Sequence, residues 1–380
     1  MLHSKQRYLF IDLLRFIAVL FMIQGHTFDA TLPYSVRHHA LFTAHDFFHG
    51  FIAPLFLFAS GVAFGISTFK KWDEHIVLSR KVYKRIGRFV SLLIIGYALH
   101  LPFLSLQKII AEATPAEIAS FLQVDALHCI AVTLLILQIG VLVLKTEKRF
   151  VLFTAILAAV IIFGAPFVWS ATLRQTVPLW LLSYINAENN SWFPIFPWSG
   201  FLLVGVLFSW FFINAKEHHH AIALMRNIAI VGAVSFIVPL LVIDVPFGLY
   251  PVHDVWKANP LIVMARLGFV AMATAGVFYA EHSLKVRSTV AQIMGRESLF
   301  IYILHLVILY GSVLNRGLQQ TMTEGLSVLQ SALVFLLIAG VSALCAFGWY
   351  YFKKNYYGTS IAVQFSIAGI LFILFIARPF

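Results

Sequence analysis

Five histidines cluster in and beside one short polar segment between the first two apolar stretches of the chain. Imidazole exchanges protons near neutral pH, so a histidine can act as a general base or as a nucleophile. A neighbouring carboxylate can hold its tautomer, as the third group of a hydrolase triad does. The adjacent pair His45–Asp46 therefore predicts a catalytic site, for which His26 and His49 are further candidates. The other two histidines of the five are His38 and His39.

Simpler interpretations exist for several of these histidines. For His38 and His39, a solvated or interfacial side chain is the expected one. His45 and His49 are four residues apart, one helical turn, and this spacing would also suit a pair of metal ligands. No carboxylate-rich ligand set accompanies the pair in the sequence, so we expect no metal ion.

Two charged residues, Asp12 and Arg15, lie inside the first apolar stretch. A charge at the centre of a membrane helix costs about 2.5–3.5 kcal/mol on insertion scales, so it usually marks a function or a buried pair. Asp12 and Arg15 are three residues apart and could pair locally. Arg15 and His26 are eleven residues apart, close to three helical turns, and project from nearly the same face. This shared face favours a site over a purely structural role.

A basic run that includes Lys84, Arg85 and Arg88 precedes the third apolar stretch. Basic residues at the edge of a membrane determine topology and contact anionic lipids. At the start of a helix they can also bind phosphate groups, together with free backbone N–H groups. The two interpretations are compatible, and both stay open.

Two further pairs contain ionisable groups at or within apolar stretches. Asp125 and His128 are three residues apart and share one helical turn. Tyr302 and His305 lie in a late apolar stretch, where His305 is either a satisfied interior histidine or a functional one. Because ionisable residues inside a membrane usually mark function, both pairs are candidate site residues.

The composition defines the class of protein. Of the 380 residues, 61% are hydrophobic and only 11% are charged, whereas about a quarter of a soluble protein is charged. The chain is therefore predicted to be a polytopic, all-α membrane protein. Its net charge of +11 could indicate nucleic-acid binding. The basic residues instead fall in short loops between apolar stretches, so topology explains them and we expect no nucleic-acid partner.

A membrane-spanning helix needs about 20 mostly apolar residues. The sequence predicts about eleven such helices in a single integral membrane domain, residues 1–380, with no separate soluble domain. The predicted spans are Tyr8–Gly25, Phe51–Thr68, Phe89–Leu106, Asp125–Leu144, Phe150–Ser170, Pro194–Ile213, Asn227–Val245, Pro260–Ala280, Ser298–Leu314, Ser327–Tyr350 and Ser360–Ala377.

The basic residues alternate between successive loops. Lysine and arginine precede the first predicted span, where Lys5 and Arg7 lie, and follow every even-numbered one. The remaining loops contain few of them. By the positive-inside rule, we expect a cytoplasmic N-terminus and a C-terminus outside. This topology puts His45 and His49, and the end of the first span with His26, on the outer side.

Five short segments resemble the bacterial relatives of the lysosomal heparan-α-glucosaminide N-acetyltransferase. They occur in that family's order and extend from the first predicted span to the ninth. The segments are Ile11–Ala18 with Gly25–Thr27, His45–Gly50 with Ala53–Gly61, Asp125–Ala131, Phe196–Gly200 and Glu297–His305.

The chain is also similar to membrane acyltransferases of the O-antigen acetylase type. The similarity lies in the spacing from Arg15 to His26, in the Phe-x-x-x-Ser-Gly stretch that ends at Gly61, and in the basic step into the third span. The two groups are taken as one superfamily. The resemblance implies that acyl-CoA, in the simplest case acetyl-CoA, binds from the cytoplasmic side. Its acyl group then passes to a hydroxyl or amine of a glycan outside.

The resemblance also implies roles for the histidines. A histidine in the first outer loop serves the N-acetyltransferases and matches His45, with Phe48 at the position of the family's tryptophan. The shorter spacing after this motif keeps His49 as a candidate. A histidine that ends the first span serves the O-acetylases and matches His26. Asp46 is expected to orient His45.

The remaining roles concern the donor and the acceptor. Arg15 is expected to hold the donor or the oxyanion that develops during transfer. Lys84, Arg85 and Arg88 are expected to hold the phosphates of CoA. The acceptor side is expected to be lined by Asp125, His128, Tyr302 and His305.

The prediction is therefore a multi-pass acyl-CoA-dependent acyltransferase of a bacterial inner membrane, with lipid, acyl-CoA and an extracytoplasmic glycan as partners. Homo-oligomer formation stays open. The competing interpretation is a transporter or flippase, in which the same charges and histidines form a proton or substrate pathway. Against it, the sequence contains no inverted repeat of the kind that transporters carry. A non-catalytic scaffold would leave the clustered histidines unexplained.

Overall fold

The structure is a computed structural model in which residues 8–245, 248–285, 288–322 and 325–378 are described. Within these ranges the chain consists of helices and one short hairpin, so the all-α fold is confirmed. Three basic residues that support the predicted topology, Lys5, Arg7 and Arg287, lie outside the described residues.

The elements follow in chain order. They are α1 (Leu9–Thr31), α2 (Tyr34–Arg37), α3 (Ala40–His49), α4 (Ile52–Phe69), α5 (Trp72–His75), α6 (Arg80–Leu99), α7 (Leu106–Glu112), α8 (Pro115–Phe121), α9 (Ala126–Leu144), α10 (Glu147–Ser170), α11 (Leu179–Ile185), α12 (Ile195–Glu217), α13 (Ala221–Val242), α14 (Val255–Ala258), α15 (Pro260–His282), α16 (Thr289–Arg296), α17 (Ser298–Tyr310), β1 (Gly311–Ser312), β2 (Asn315–Arg316), α18 (Leu318–Thr321), α19 (Val328–Asn355) and α20 (Tyr357–Ala377).

In the described ranges, nine helical segments are long and apolar enough to cross a membrane, which confirms a polytopic helix bundle. The number is ten if α16 and α17, which bend by 76° at Glu297, form one broken span. The third predicted span, Phe89–Leu106, falls on α6, which begins earlier, at Arg80, and so includes the basic run. Those charges distinguish α6 from the apolar helices. The total of eleven spans and the orientation of the termini stay predictions.

Backbone proximity divides the chain into two compact units. The first comprises the described residues of Met1–Ile52, Ala98–Phe121 and Arg287–Phe380. The second comprises the described residues of Ala53–Tyr97 and Leu122–Val286. A single functional domain stays a prediction.

The first unit is organised around α1, which packs against α3, α16, α17 and α19. The apolar side chains of Phe10, Leu14, Val19 and Ile23 recur about once per turn of α1 and are at most 2% exposed. At the bend between α16 and α17, Glu297 accepts a 2.5 Å hydrogen bond from the ammonium group of a lysine in α19. These contacts hold α1 and α17 in one packed group.

The second unit has a core built mainly from α4, α9, α10 and α12. Two of these helices approach closely, because Gly61 of α4 lies against the backbone of Leu202 and Gly205 of α12 lies against the backbone of Phe58. Small residues allow such close backbone contact between membrane helices, where packing rather than hydrophobic burial drives association. This core positions the start of α9, which carries Asp125 at its N-cap.

Candidate functional site

The polar end of the first predicted span is helical. The sequence predicts a span that ends at Gly25, whereas α1 continues to Thr31. The hydroxyl groups of Thr27 and Thr31 each donate to the carbonyl oxygen four residues earlier at 2.7 Å, so they are satisfied inside the helix. The helix ends where Leu32 adopts an extended conformation. His26 therefore projects from the same helix as Arg15.

The His26 ring of α1 contacts the His305 ring of α17. The Nδ1 atom of His26 is 3.1 Å from the Nε2 atom of His305, and the stacked rings have centroids 5.2 Å apart. The Nδ1 atom of His305 is 2.8 Å from the carbonyl oxygen of Ile301. His305 is completely buried, whereas His26 keeps partial exposure. Two histidines that are 279 positions apart in the sequence thus form one pair.

His45 and Asp46 contact each other on α3. The Nδ1 atom of His45 is 3.2 Å from a carboxylate oxygen of Asp46. On the other side of the ring, the Nε2 atom is 2.8 Å from the amide nitrogen of Gln24 on α1. A neutral His45 that donates from Nδ1 to the carboxylate can accept at Nε2 from the amide. Both ring nitrogens of His45 are therefore already used within the protein.

His49 is seated between His45 and the backbone of α1. Its ring is nearly parallel to that of His45, with an interplanar angle of 6° and centroids 5.9 Å apart. On the α1 side the ring lies against Gly25, where an added Cβ atom would overlap the imidazole. The Nδ1 atom of His49 is buried, and it has no hydrogen-bond partner within the described ranges. The position of this ring depends on the absence of a side chain at residue 25.

We expect Gly25→Ala to displace His49 and to lower kcat about tenfold, because even a 1 Å misplacement near a reacting group can cost more than that. Helix propensity favours alanine, so α1 itself should not be weakened. The initial rate of the acyl transfer that the resemblance implies measures the effect. Gly276→Ala is the matched control, since a Cβ atom at Gly276 meets no atom within 4 Å. The loss should disappear in a His49→Ala background; an equal loss in that background would contradict the prediction.

A polar rim lies next to the His26–His305 pair. The hydroxyl group of Tyr310 donates to Asp29 at 3.2 Å and to the carbonyl oxygen of His26 at 3.3 Å. Asp29 in turn accepts a 2.9 Å hydrogen bond from Arg37 of α2. The Tyr310 ring also meets the His26 ring edge-on, with centroids 5.9 Å apart. These contacts hold the end of α1 against the end of α17.

Two other predicted site residues belong to the same unit. Tyr302 is 5% exposed and meets the His305 ring edge-on, with centroids 5.8 Å apart. Arg15 lies on α1, but eleven residues of helix separate it from His26 by roughly 16 Å along the axis. An arginine side chain does not bridge that distance. Direct contact between Arg15 and His26 is therefore not expected, and the role of Arg15 toward the donor or the oxyanion stays a prediction.

In the second unit, Asp125 and His128 form a buried pair at the start of α9. A carboxylate oxygen of Asp125 accepts from the backbone N–H of His128 at 3.1 Å and contacts its Nδ1 atom at 2.7 Å. The ring of His128 meets Tyr97 edge-on at 4.3 Å, and Tyr97 shares a 2.9 Å hydrogen bond with Tyr184. Burial raises the pKa of Tyr184. The phenol therefore stays protonated and the cluster neutral on that side.

The basic run of α6 divides into buried and exposed members. Arg85 is 9% exposed, and its Nη2 atom donates to Thr68 at 2.7 Å and to the carbonyl oxygen of Phe64 at 3.1 Å. These contacts fasten α6 to the end of α4. Lys84 and Arg88, four residues apart, both lie on the exposed face. The exposed pair is the part of the run that a dissolved anion can reach.

The structure thus separates the predicted site residues into two groups. His26, His45, Asp46, His49, Tyr302 and His305 meet in the first unit, which also holds Arg15. The second unit contains Lys84, Arg85, Arg88, Asp125 and His128.

Sequence reasoning missed three polar residues of the first unit, Gln24, Asp29 and Tyr310. The sequence could have indicated Gln24, because a side-chain amide inside an apolar stretch needs a hydrogen-bond partner. No sequence feature indicated Tyr310. In the described ranges, no group of three histidine, cysteine, aspartate or glutamate residues could hold a metal ion.

Comparison with known proteins gives one informative result. The family model described as heparan-alpha-glucosaminide N-acetyltransferase, catalytic, matches residues 7–242. No curated protein matches the chain. The matched region includes His26, His45, His49 and Asp125, and it ends before His305. Since the match covers well over half of the 380 residues, this multi-pass membrane protein belongs to the family of the heparan-alpha-glucosaminide N-acetyltransferase catalytic region.

Proposed function

We propose that the protein transfers an acetyl group from acetyl-CoA to a hydroxyl or amine of an extracytoplasmic glycan, with His26 as the general base. The observation that carries the proposal is the family match over a region in which His26 is partly exposed. Within the described residues, the ring of His26 forms one hydrogen bond, to His305 through Nδ1. Its Nε2 atom therefore remains for the acceptor, whereas both nitrogens of His45 are engaged.

The reaction requires one proton to move twice. The base removes a proton from the acceptor hydroxyl or amine as that oxygen or nitrogen attacks the thioester carbonyl carbon. The carbon–sulfur bond then breaks, and the protonated imidazole returns the proton to the leaving thiolate. The sum is acetylated acceptor plus free CoA. His49 and the pair His45–Asp46 stand beside this base and are proposed to position the acceptor.

The donor needs a site for its phosphates, and the exposed pair Lys84 and Arg88 is suited to it. The Nη1 atom of Arg85 is buried, and within the described ranges it has no hydrogen-bond partner, so this nitrogen can add a donor. Arg15, remote from His26, is proposed to contact the donor and not the reacting carbonyl. Asp125, His128 and Tyr302 are proposed to serve the acceptor. We further propose a bacterial inner membrane as the location.

The double substitution Lys84→Met and Arg88→Met is expected to raise the KM for acetyl-CoA about tenfold and to leave kcat within a factor of two. Two charged contacts to phosphate are lost, and they are partly screened by salt. Initial rates at varied acetyl-CoA concentration and ionic strength measure the effect. Lys148→Met with Arg149→Met, an exposed basic pair at the start of α10, is the matched control. A fall in kcat at unchanged KM would contradict the phosphate role.

Purified protein in detergent with radiolabelled acetyl-CoA tests the function itself. We expect release of free CoA that increases when glycan oligosaccharides with free amines or hydroxyls are added, and label on the acceptor. Label retained on the protein would show that a histidine carries the acetyl group before it reaches the acceptor. Neither binding of acetyl-CoA nor release of CoA by folded protein would overturn the proposal and favour the transporter interpretation.

A further inference from the structure

The hydrogen bond between His305 and Ile301 determines which nitrogen of His305 carries a proton. A carbonyl oxygen only accepts, so the Nδ1 atom of His305, 2.8 Å away, must be the donor. In a neutral imidazole the other nitrogen is then an acceptor. The Nε2 atom of His305 therefore presents a lone pair toward α1.

The lone pair of His305 determines which nitrogen of His26 carries a proton. Its Nδ1 atom, 3.1 Å from the lone pair of His305, must carry a proton. A neutral His26 then has its own lone pair on Nε2. The carbonyl oxygen of Ile301 thus fixes the tautomer of His305, and His305 fixes the tautomer of His26. A backbone group therefore determines which nitrogen of His26 can act as a base.

His26 and His305 differ in exposure and can therefore have different roles. His305 is 0% exposed, so it cannot touch an acceptor, whereas His26 keeps partial exposure. Among the described residues, the rings of Tyr302 and Tyr310 meet the pair edge-on, and the nearby Asp29 carboxylate accepts a hydrogen bond from the Tyr310 hydroxyl. The partner of the His26 Nδ1 atom is thus an imidazole and not a carboxylate. A protonated His26 would share its charge with the neutral His305 ring. The His305 ring, bonded to the carbonyl oxygen of Ile301, therefore has the position relative to His26 that an aspartate has relative to the histidine of a hydrolase triad.

We propose that His305 is a positioning residue that holds His26 in the tautomer with Nδ1 protonated and Nε2 free to act as the base. The inference rests on the proposed function for its catalytic consequence, but the tautomer is a property of the protein alone. It also extends the site beyond residue 242, where the family match ends.

Two substitutions of His305 test the role. His305→Phe keeps a planar ring but removes the acceptor, and we expect kcat to fall at least 100-fold with an unchanged KM for acetyl-CoA. A wrongly held tautomer can cost about 10⁴ in kcat in a hydrolase triad. His305→Gln places an amide oxygen near the position of Nε2, so kcat should stay within tenfold of wild type. His253→Phe removes a comparable histidine–carbonyl bond, from Nδ1 to Pro251 at 2.7 Å, and should change nothing.

A spectroscopic measurement makes the test independent of activity. In ¹⁵N-histidine-labelled protein, the resonances that disappear in His26→Asn belong to His26. We expect them to show a protonated Nδ1 and an unprotonated Nε2 in wild type and in His305→Gln, and a mixture of tautomers in His305→Phe. A protonated Nε2 in wild type, or wild-type kcat in His305→Phe, would overturn the inference. If wild type transfers no acetyl group, the proposed function fails, while the resonances still decide the tautomer.

Discussion

His26→Ala is expected to abolish acetyl transfer, with a loss of about 10³–10⁴ in kcat. A positioned general base contributes about 10²–10⁴, and the substitution also removes the partner of a buried histidine. Binding of acetyl-CoA should survive, because the proposed phosphate contacts lie on α6. The rate of CoA release in the presence of acceptor, compared with binding of acetyl-CoA by the same preparation, measures both effects.

Two other histidines make this result specific. His45→Ala should lower kcat by a smaller factor, about tenfold, because its nitrogens are held by Gln24 and Asp46 and only the placement of neighbouring rings is lost. His38→Ala serves as the control, since its exposed ring contacts the carbonyl oxygen of Tyr34 at 2.9 Å. The opposite order, with full activity in His26→Ala and none in His45→Ala, would move the base to His45.

Asp125→Ala is expected to destabilise the protein by about 3 kcal/mol. The substitution removes the N-cap of α9, worth about 1 kcal/mol, and leaves the Nδ1 atom of the completely buried His128 without its carboxylate. Removing one partner of a buried pair typically costs about 3–5 kcal/mol. Thermal unfolding in detergent, followed by the fluorescence of a thiol-reactive dye, measures the change in Tm.

Asp254 provides a control with the same role at an exposed position. Its carboxylate caps α14 by accepting from the backbone N–H of Lys257 at 3.0 Å, and its side chain is 39% exposed. Asp254→Ala should therefore cost less than about 1 kcal/mol. Asp125→Asn keeps an acceptor at the cap and should recover part of the loss. Equal changes in Tm for the two alanine variants would show that burial of the Asp125–His128 pair adds nothing.

Local spacing predicted the contacts that form within one helical turn. The pairs His45–Asp46 and Asp125–His128 meet because each pair is separated by no more than three residues. The pairing of His26 with His305 could not be predicted in this way, because 279 positions separate the rings and only the packing of α1 on α17 brings them together. In the sequence, His305 is a single histidine in an apolar stretch, whereas His26 belongs to a cluster in a distant part of the chain.

Hydropathy predicted where apolar residues concentrate, but not where helices begin and end. The third predicted span starts at Phe89, whereas α6 starts at Arg80, because basic residues are good helix formers although they are excluded from lipid. Likewise α1 extends to Thr31, past the end of its apolar run, and the hydroxyl groups of Thr27 and Thr31 are satisfied within the helix. The helix that was predicted to end at Gly25 therefore continues far enough to carry Asp29 as well.

The first unit is discontinuous in sequence, and this has a consequence for how the protein is made. A ribosome that adds about 5–20 residues per second needs roughly 15–60 s to proceed from His26 to His305. During that time α1 is inserted without α17, the helix whose His305 contacts the ring of His26. The nascent chain must therefore be sheltered, by the insertion machinery or by temporary contacts with its own early helices, until the last third of the polypeptide enters the bilayer. Substitutions in α17 should accordingly affect the yield of assembled protein as well as its chemistry.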